Sequence, residues 1–170
     1  MKSMKILSSL LILLFGRSLI FSQTSGTNSY ISSKYGYSIN IPAGFKQAAA
    51  SGKNIDLKLV HLDGSSILIN VTPKRPEEYN ISAHDYNREM FEQEFKQYTP
   101  TVTLSKAEKT YISGEKAFLI HYSNSSNNTK AVEIYTYKGN NAYVFTATTK
   151  TGQFQTYEPV FMKAFNSFKF

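Results

Sequence analysis

The sequence predicts an α+β fold, a mostly antiparallel sheet of about six or seven strands with helices packed on both sides. Three observations lead there. Short runs alternate apolar and polar residues at the period of a strand, two longer segments repeat apolar residues every three or four positions, and the short connections between the later strand-like runs favour antiparallel neighbours over crossovers.

Tyr37, Ile39 and Ile41 alternate with Ser38 and Asn40 until Pro42 and Gly44 end the run, so a first strand closed by a turn is expected. Ile55, Leu57 and Leu59, then Ile67, Ile69 and Val71, alternate similarly and form a predicted hairpin. A loop of Leu62, Asp63 and Gly64, with Gly64 in the left-handed position, sets Leu59 against Ile67, Leu57 against Ile69 and Ile55 against Val71. A loop of Asp63 and Gly64 alone would mix polar with apolar faces. Pro73 and Pro76 then break the sheet. Ser82 and Asp85 make an N-cap signature for a helix running to about Tyr98, and Tyr86, Met90, Phe91, Phe95 and Tyr98 share its apolar stripe.

Runs at 101–112, 116–122, 130–138 and 142–149 are rich in Thr, Tyr, Val, Ile and Phe, as strands are. Gly114, the Asn124 to Asn128 tract and Gly139-Asn140-Asn141 separate them. Phe154, Tyr157, Phe161, Phe165 and Phe168 describe a second amphipathic helix, in which Pro159 is tolerated if it falls in the first turn. This aromatic stripe is expected in the core.

Residues 1–22 read as a secretory leader. Lys2 and Lys5 precede an apolar stretch from Ile6 to Phe15, and Arg17 interrupts it short of a membrane span. Cleavage between Ser22 and Gln23 is expected. An uncleaved anchor is the other reading, because Ile20 is not the small residue preferred at its position. Residues 23–33 would then be a polar, flexible lead-in and residues 34–170 a single domain without a transmembrane segment. A periplasmic or secreted location follows.

The chain has no cysteine, which excludes disulfides, thiolate catalysis, cysteine-ligated metals and lipid modification after the leader. The formal charge falls from +7 to +4 once Lys2, Lys5 and Arg17 leave with the leader, and the remaining lysines are scattered singly. No nucleic-acid partner is expected of such a surface.

His61, His84 and His121 lie in separate elements without ligand spacing, so neither a metal nor another cofactor is expected. No serine-hydrolase elbow, phosphate-binding loop or zincin motif occurs, and no catalytic residue is assigned. Glu77 and Glu78 could work as an acid and base pair, yet they follow Pro76 in a loop and are expected to be solvated. Tyr135, Tyr137 and Tyr143 could line a ligand surface, although aromatic residues suit half-buried strands in any case. Sequons at Asn70, Asn80, Asn124 and Asn127 are discounted because the leader is bacterial in character.

Three features together resemble the PsbP/Mog1-like superfamily: the segment Tyr35-Gly36-Tyr37-Ser38-Ile39-Asn40-Ile41-Pro42-Ala43-Gly44-Phe45, the central helix, and the close from Phe161 to Phe170 with Ser167-Phe168. The resemblance implies an antiparallel sheet sandwiched by helices, and an accessory or binding role with no enzyme activity. The expected function is an exported protein of the bacterial envelope that contacts another envelope or secreted protein. A small-molecule or lipid carrier with an aromatic groove between helices and sheet, and a hydrolase with an unrecognised site, are the alternatives.

Overall fold

A computed structural model describes residues 29–170, so the leader, its cleavage point and the lead-in up to residue 28 lie outside the described residues. Strands β1 (Ser29–Ile31) and β2 (Ser38–Asn40) form a two-stranded ribbon. Ser29–Ile31 fall within the lead-in expected from sequence, yet they form a strand. They pair with β2 because Tyr30 packs on the core and its hydroxyl reaches the backbone carbonyl of Asp56, 3.3 Å away.

The main sheet has seven strands: β3 (Lys46–Gln47), β4 (Ile55–Val60), β5 (Ser66–Pro73), β6 (Val102–Ile112), β7 (Glu115–Asn124), β8 (Thr129–Lys138) and β9 (Asn141–Lys150). Their order across the sheet is β3-β4-β5-β9-β8-β7-β6, with every pairing antiparallel. Helix α1 (Arg88–Tyr98) packs on one face and α2 (Phe154–Asn166) on the other, the expected sandwich.

Alternation explains how one strand serves two cores. Val132 and Ile134 of β8, with Leu57, Leu59, Ile67, Ile69 and Phe145, meet Phe161 and Phe165 of α2. Tyr135 of the same strand points the other way, with Phe118, Ile120 and Val144, and meets Phe91 and Phe95 of α1.

The β4–β5 hairpin pairs Leu59 with Ile67 and Leu57 with Ile69, and His61 N–H donates to the Ser65 carbonyl across a three-residue loop with Gly64 at φ +92°. Ile55, expected opposite Val71, instead faces Asn70. A bulge at Asp56 inserts one residue between the Ile55 and Leu57 pairings, and side-chain alternation alone cannot reveal it.

The helix start also moves. Ser82 and Asp85 do form a reciprocal capping box, but it closes a single 3-10 turn (Ala83–Asp85), after which Tyr86 is extended. Asn87 caps α1, its side-chain oxygen accepting the Met90 N–H at 3.0 Å. Removing that acceptor in Asn87→Ala is expected to lower unfolding free energy by about 1 kcal/mol in a denaturant titration, whereas Asn87→Ser should restore most of it.

Tyr98 leaves the apolar stripe at the last turn and is 55% exposed. In α2, Pro159 sits beyond the first turn, inside the helix. Its ring is tolerated because Pro159 and Gln155 both face solvent, where water can satisfy the Gln155 carbonyl that Pro159 cannot bond. Phe168 lies past the helix end and is still fully buried among the ring faces of Tyr37 and Phe145.

Candidate functional site

Polar clusters among the described residues gather at several places, most of them joining residues from different elements. At the first, the β4–β5 loop meets α2. His61 Nδ1 lies 2.9 Å from Asp63 Oδ1 and 2.9 Å from the Tyr157 hydroxyl. Burial works against a charged Asp63, but hydrogen bonds from Tyr157, Ser65 and His61 outweigh it and hold the carboxyl well below its ordinary range. The buried Ser65 hydroxyl is 2.8 Å from that of Thr149.

A histidine, an acid and two hydroxyls are therefore adjacent, the combination that hydrolytic chemistry uses. The imidazole, however, is enclosed on both sides. Nδ1 is shared between Asp63 and Tyr157, and Nε2 abuts the Gly44 backbone so closely that a Cβ there would stand 2.6 Å away. The ring acts as a tie between the 42–45 turn, the hairpin loop and α2.

The second cluster lies under α1. Glu133 accepts hydrogen bonds from the Tyr122 hydroxyl (2.9 Å), the Thr146 hydroxyl (3.0 Å) and the Tyr135 hydroxyl. Burial pushes its carboxyl above the ordinary range despite these three donors. Sequence reading passed Glu133 over, although a single acid in the apolar run Ala131-Val132-Glu133-Ile134-Tyr135 is the visible signal. On the α2 side, the Asp56 bulge similarly aims a carboxylate at the buried Tyr37 hydroxyl, 2.6 Å away, and burial together with that carboxylate raises the phenol well above its usual range.

The third place is the segment between β5 and α1. Glu77 is exposed as expected, but Glu78 is buried, because its carboxylate is held by the Arg75 guanidinium at 2.9 Å and by the Arg75 N–H at 2.8 Å. The hydroxyls of Tyr86 and Tyr137 bond to each other, with Lys74 over the Tyr137 ring. Of the three tyrosines considered for a ligand surface, Tyr135 and Tyr137 share the α1 face while Tyr143 is buried on the α2 face. Beside them a pocket of about 20 Å³, lined by Thr72, Glu78, Tyr86 and Tyr137 among others, has room for one water.

The three histidines stay apart. His84 Nε2 donates to the Thr110 carbonyl at 2.8 Å and its ring meets Tyr111 edge-on. His121 is buried against Phe154, 3.4 Å from Glu158. Burial lowers its pKa from 6.5, with Lys106 acting in the same sense and Glu158 and Glu108 opposing. Because the folded value lies below the unfolded one, this contribution to stability is complete above the unfolded value and lost as pH falls through the folded value. The wild type should lose more stability between pH 7.5 and 5.5 than His121→Gln does in parallel urea titrations; equal losses would remove His121 as the source. Among the described residues no three His, Asp or Glu side chains are placed to hold a metal, and no described helix is long and apolar enough to cross a membrane.

Comparison with known proteins places this architecture. The PsbP family model matches residues 25–170. The solution structure of cyanobacterial PsbP (CyanoP) from Synechocystis is similar at a TM-score of 0.63 and 15% identity, covering 88% of this chain and 97% of that one. LpqN of Mycobacterium tuberculosis, involved in cell envelope biogenesis, is similar at a TM-score of 0.56 and 10% identity, over 79% of this chain and 82% of its own. PA94 of Pseudomonas aeruginosa, a protein of unknown function, matches at a TM-score of 0.53 and 17% identity, over 84% and 96%. No curated protein matches significantly. At these identities the likenesses establish the fold.

Proposed function

Because the chain belongs to the PsbP family, we propose that it is an exported, non-enzymatic accessory domain of the bacterial envelope that acts by binding another envelope or secreted protein. The observation that carries this reading is the internal engagement of the candidate chemistry. His61 Nδ1 is engaged by Asp63 and Tyr157 while Nε2 is packed close to Gly44, and Glu133 accepts from three hydroxyls. Glu78 is neutralised by Arg75. Residues spent on holding the fold together are poor candidates for turning over a substrate, and the outer surface is left for recognition.

The carrier alternative finds less support. Its groove would run between helices and sheet, where Phe91 stacks on Phe118 at 5.4 Å and Phe145 meets Phe165 at 5.7 Å. Small-molecule sites occupy roughly 300–1,000 Å³, far more than the pocket beside Tyr137. The envelope role of LpqN is consistent with the accessory reading. Crosslinking in the native cells, followed by affinity purification against an unrelated exported protein, tests it. One partner recovered near stoichiometrically is the expected result, and no enrichment over the control would overturn it.

A further inference from the structure

The two edges of the seven-stranded sheet are finished differently. At the β3 side, pairing with β3 covers the end of β4, Ala48 N–H donates to the Lys58 carbonyl at 2.9 Å, and the Tyr30 hydroxyl reaches the Asp56 carbonyl. At the other side β6 is the outermost strand, from Val102 to Ile112.

Which β6 groups face outward follows from the turn. Ser113 (φ +51°) and Gly114 (φ +81°) make a two-residue connection of the kind that bonds its flanking residues, Ile112 and Glu115, directly to each other. Bonded and non-bonded pairs then alternate, so Thr110, Glu108 and Lys106 turn their backbone groups toward β7 while Tyr111, Lys109 and Ala107 turn theirs outward. Beyond the bulge at Ser105, the Leu104 carbonyl is occupied by the Arg88 guanidinium at 3.1 Å. The outward amides and carbonyls of Ala107, Lys109 and Tyr111 have no partner among the described residues.

The side chains here are also prepared for contact. Tyr111 is 63% exposed, yet its ring is steadied by the His84 edge at 5.0 Å, and His84 is itself fixed to the Thr110 carbonyl. Lys106 is neutralised by Glu108 at 2.8 Å, whereas Lys109 has no carboxylate partner among the described residues. An antiparallel second copy using the same three outward residues would set Lys109 against Lys109 of that copy, a like-charge pairing that disfavours self-addition.

The geometry points to the outer edge of β6 as the docking site for an extended acidic segment of a partner protein, which adds to the sheet as a further strand. Main-chain bonds to Ala107, Lys109 and Tyr111 hold it, a carboxylate meets Lys109, and an apolar side chain covers Tyr111. This rests on the protein-binding reading above and names its surface.

The test is an NMR titration of the labelled protein with a short capped peptide alternating glutamate and valine, against the same peptide carrying lysine for glutamate. The expected result is a saturable shift and exchange protection of the Ala107, Lys109 and Tyr111 amides with the acidic peptide alone. Lys109→Glu should weaken that peptide by roughly tenfold or more and favour the lysine peptide. Lys109→Pro, whose lost N–H points away from β7, should abolish binding while leaving the circular dichroism unchanged. Shifts elsewhere, equal binding of both peptides, or wild-type affinity in Lys109→Pro would overturn the site. So would concentration-dependent changes at these amides without peptide, which would make a second copy the occupant. A cellular partner retained fully by Lys109→Pro would remove this site and leave the accessory reading standing; peptide binding at β6 with no cellular partner would do the reverse.

Discussion

Gly44→Ala is expected to lower the unfolding free energy by about 3 kcal/mol, from two separable causes. The Phe45 N–H donates to the Pro42 carbonyl at 3.1 Å, and Gly44, third in that turn, has φ +82°. Holding a side-chain-bearing residue there costs about 1–2 kcal/mol. The new methyl would also lie 2.6 Å from His61 Nε2, which must move. A displaced imidazole gives up Asp63 and Tyr157 together, about 1 kcal/mol for each hydrogen bond. A double-mutant cycle with His61→Ala separates the causes, since removing the ring abolishes the collision and leaves only the backbone penalty. If Gly44→Ala costs as much in the His61→Ala background as in the wild type, the tie through His61 is wrong.

Phe91→Ala should be the most destabilising change on the α1 side, about 3–5 kcal/mol. Phe91 is 1% exposed and its ring is in contact with Phe118, Tyr86, Tyr135 and Phe95 at once. Truncation leaves a void lined by aromatic rings that cannot collapse without moving the helix. An isolated helix as short as α1 has little stability of its own in water, so what fastens it is this packing. Tyr98→Ala, at the exposed last turn, should stay within about 0.5 kcal/mol of the wild type. Guanidinium titrations of the two variants decide the matter, and similar midpoints would show that α1 is held by something other than Phe91.

Legibility from sequence followed the range of the forces involved. The β4–β5 register and its loop could be read because alternating Leu57, Leu59, Ile67 and Ile69 admit one arrangement that keeps a single apolar face. The α2 stripe was equally plain in Phe161 and Phe165. The Asp56 bulge was not, because the residues around it keep their alternation while the partner strand slips. The Ser82 and Asp85 signature is a real capping box, but it closes only a 3-10 turn, and Asn87, which sequence reading passed over, caps the helix.

The polar clusters were illegible for another reason. Tyr157 and His61 meet through tertiary folding, and no local pattern announces a contact between a hairpin loop and a C-terminal helix. Glu78 looked solvated because it follows Pro76 in a loop; the Arg75 side chain that holds it could have been read three positions earlier. Tyr143 was grouped with Tyr135 and Tyr137 by proximity in sequence, but its parity in β9 sends it to the opposite core.

The two ends of the described chain are stitched together. Ser38 and Lys169 exchange both backbone hydrogen bonds at 2.9 Å, and Asn40 N–H donates to the Ser167 hydroxyl at 2.9 Å. Strand β2 therefore has no finished seat until residues 167–169 have left the ribosome. Closure of the α2-side core becomes a late event, governed by contacts of the longest sequence separation. During synthesis the α2-side core stays open for as long as residues 167–169 are missing. If the proposed export passes through a membrane channel, that delay keeps the chain in the unfolded state such a channel carries.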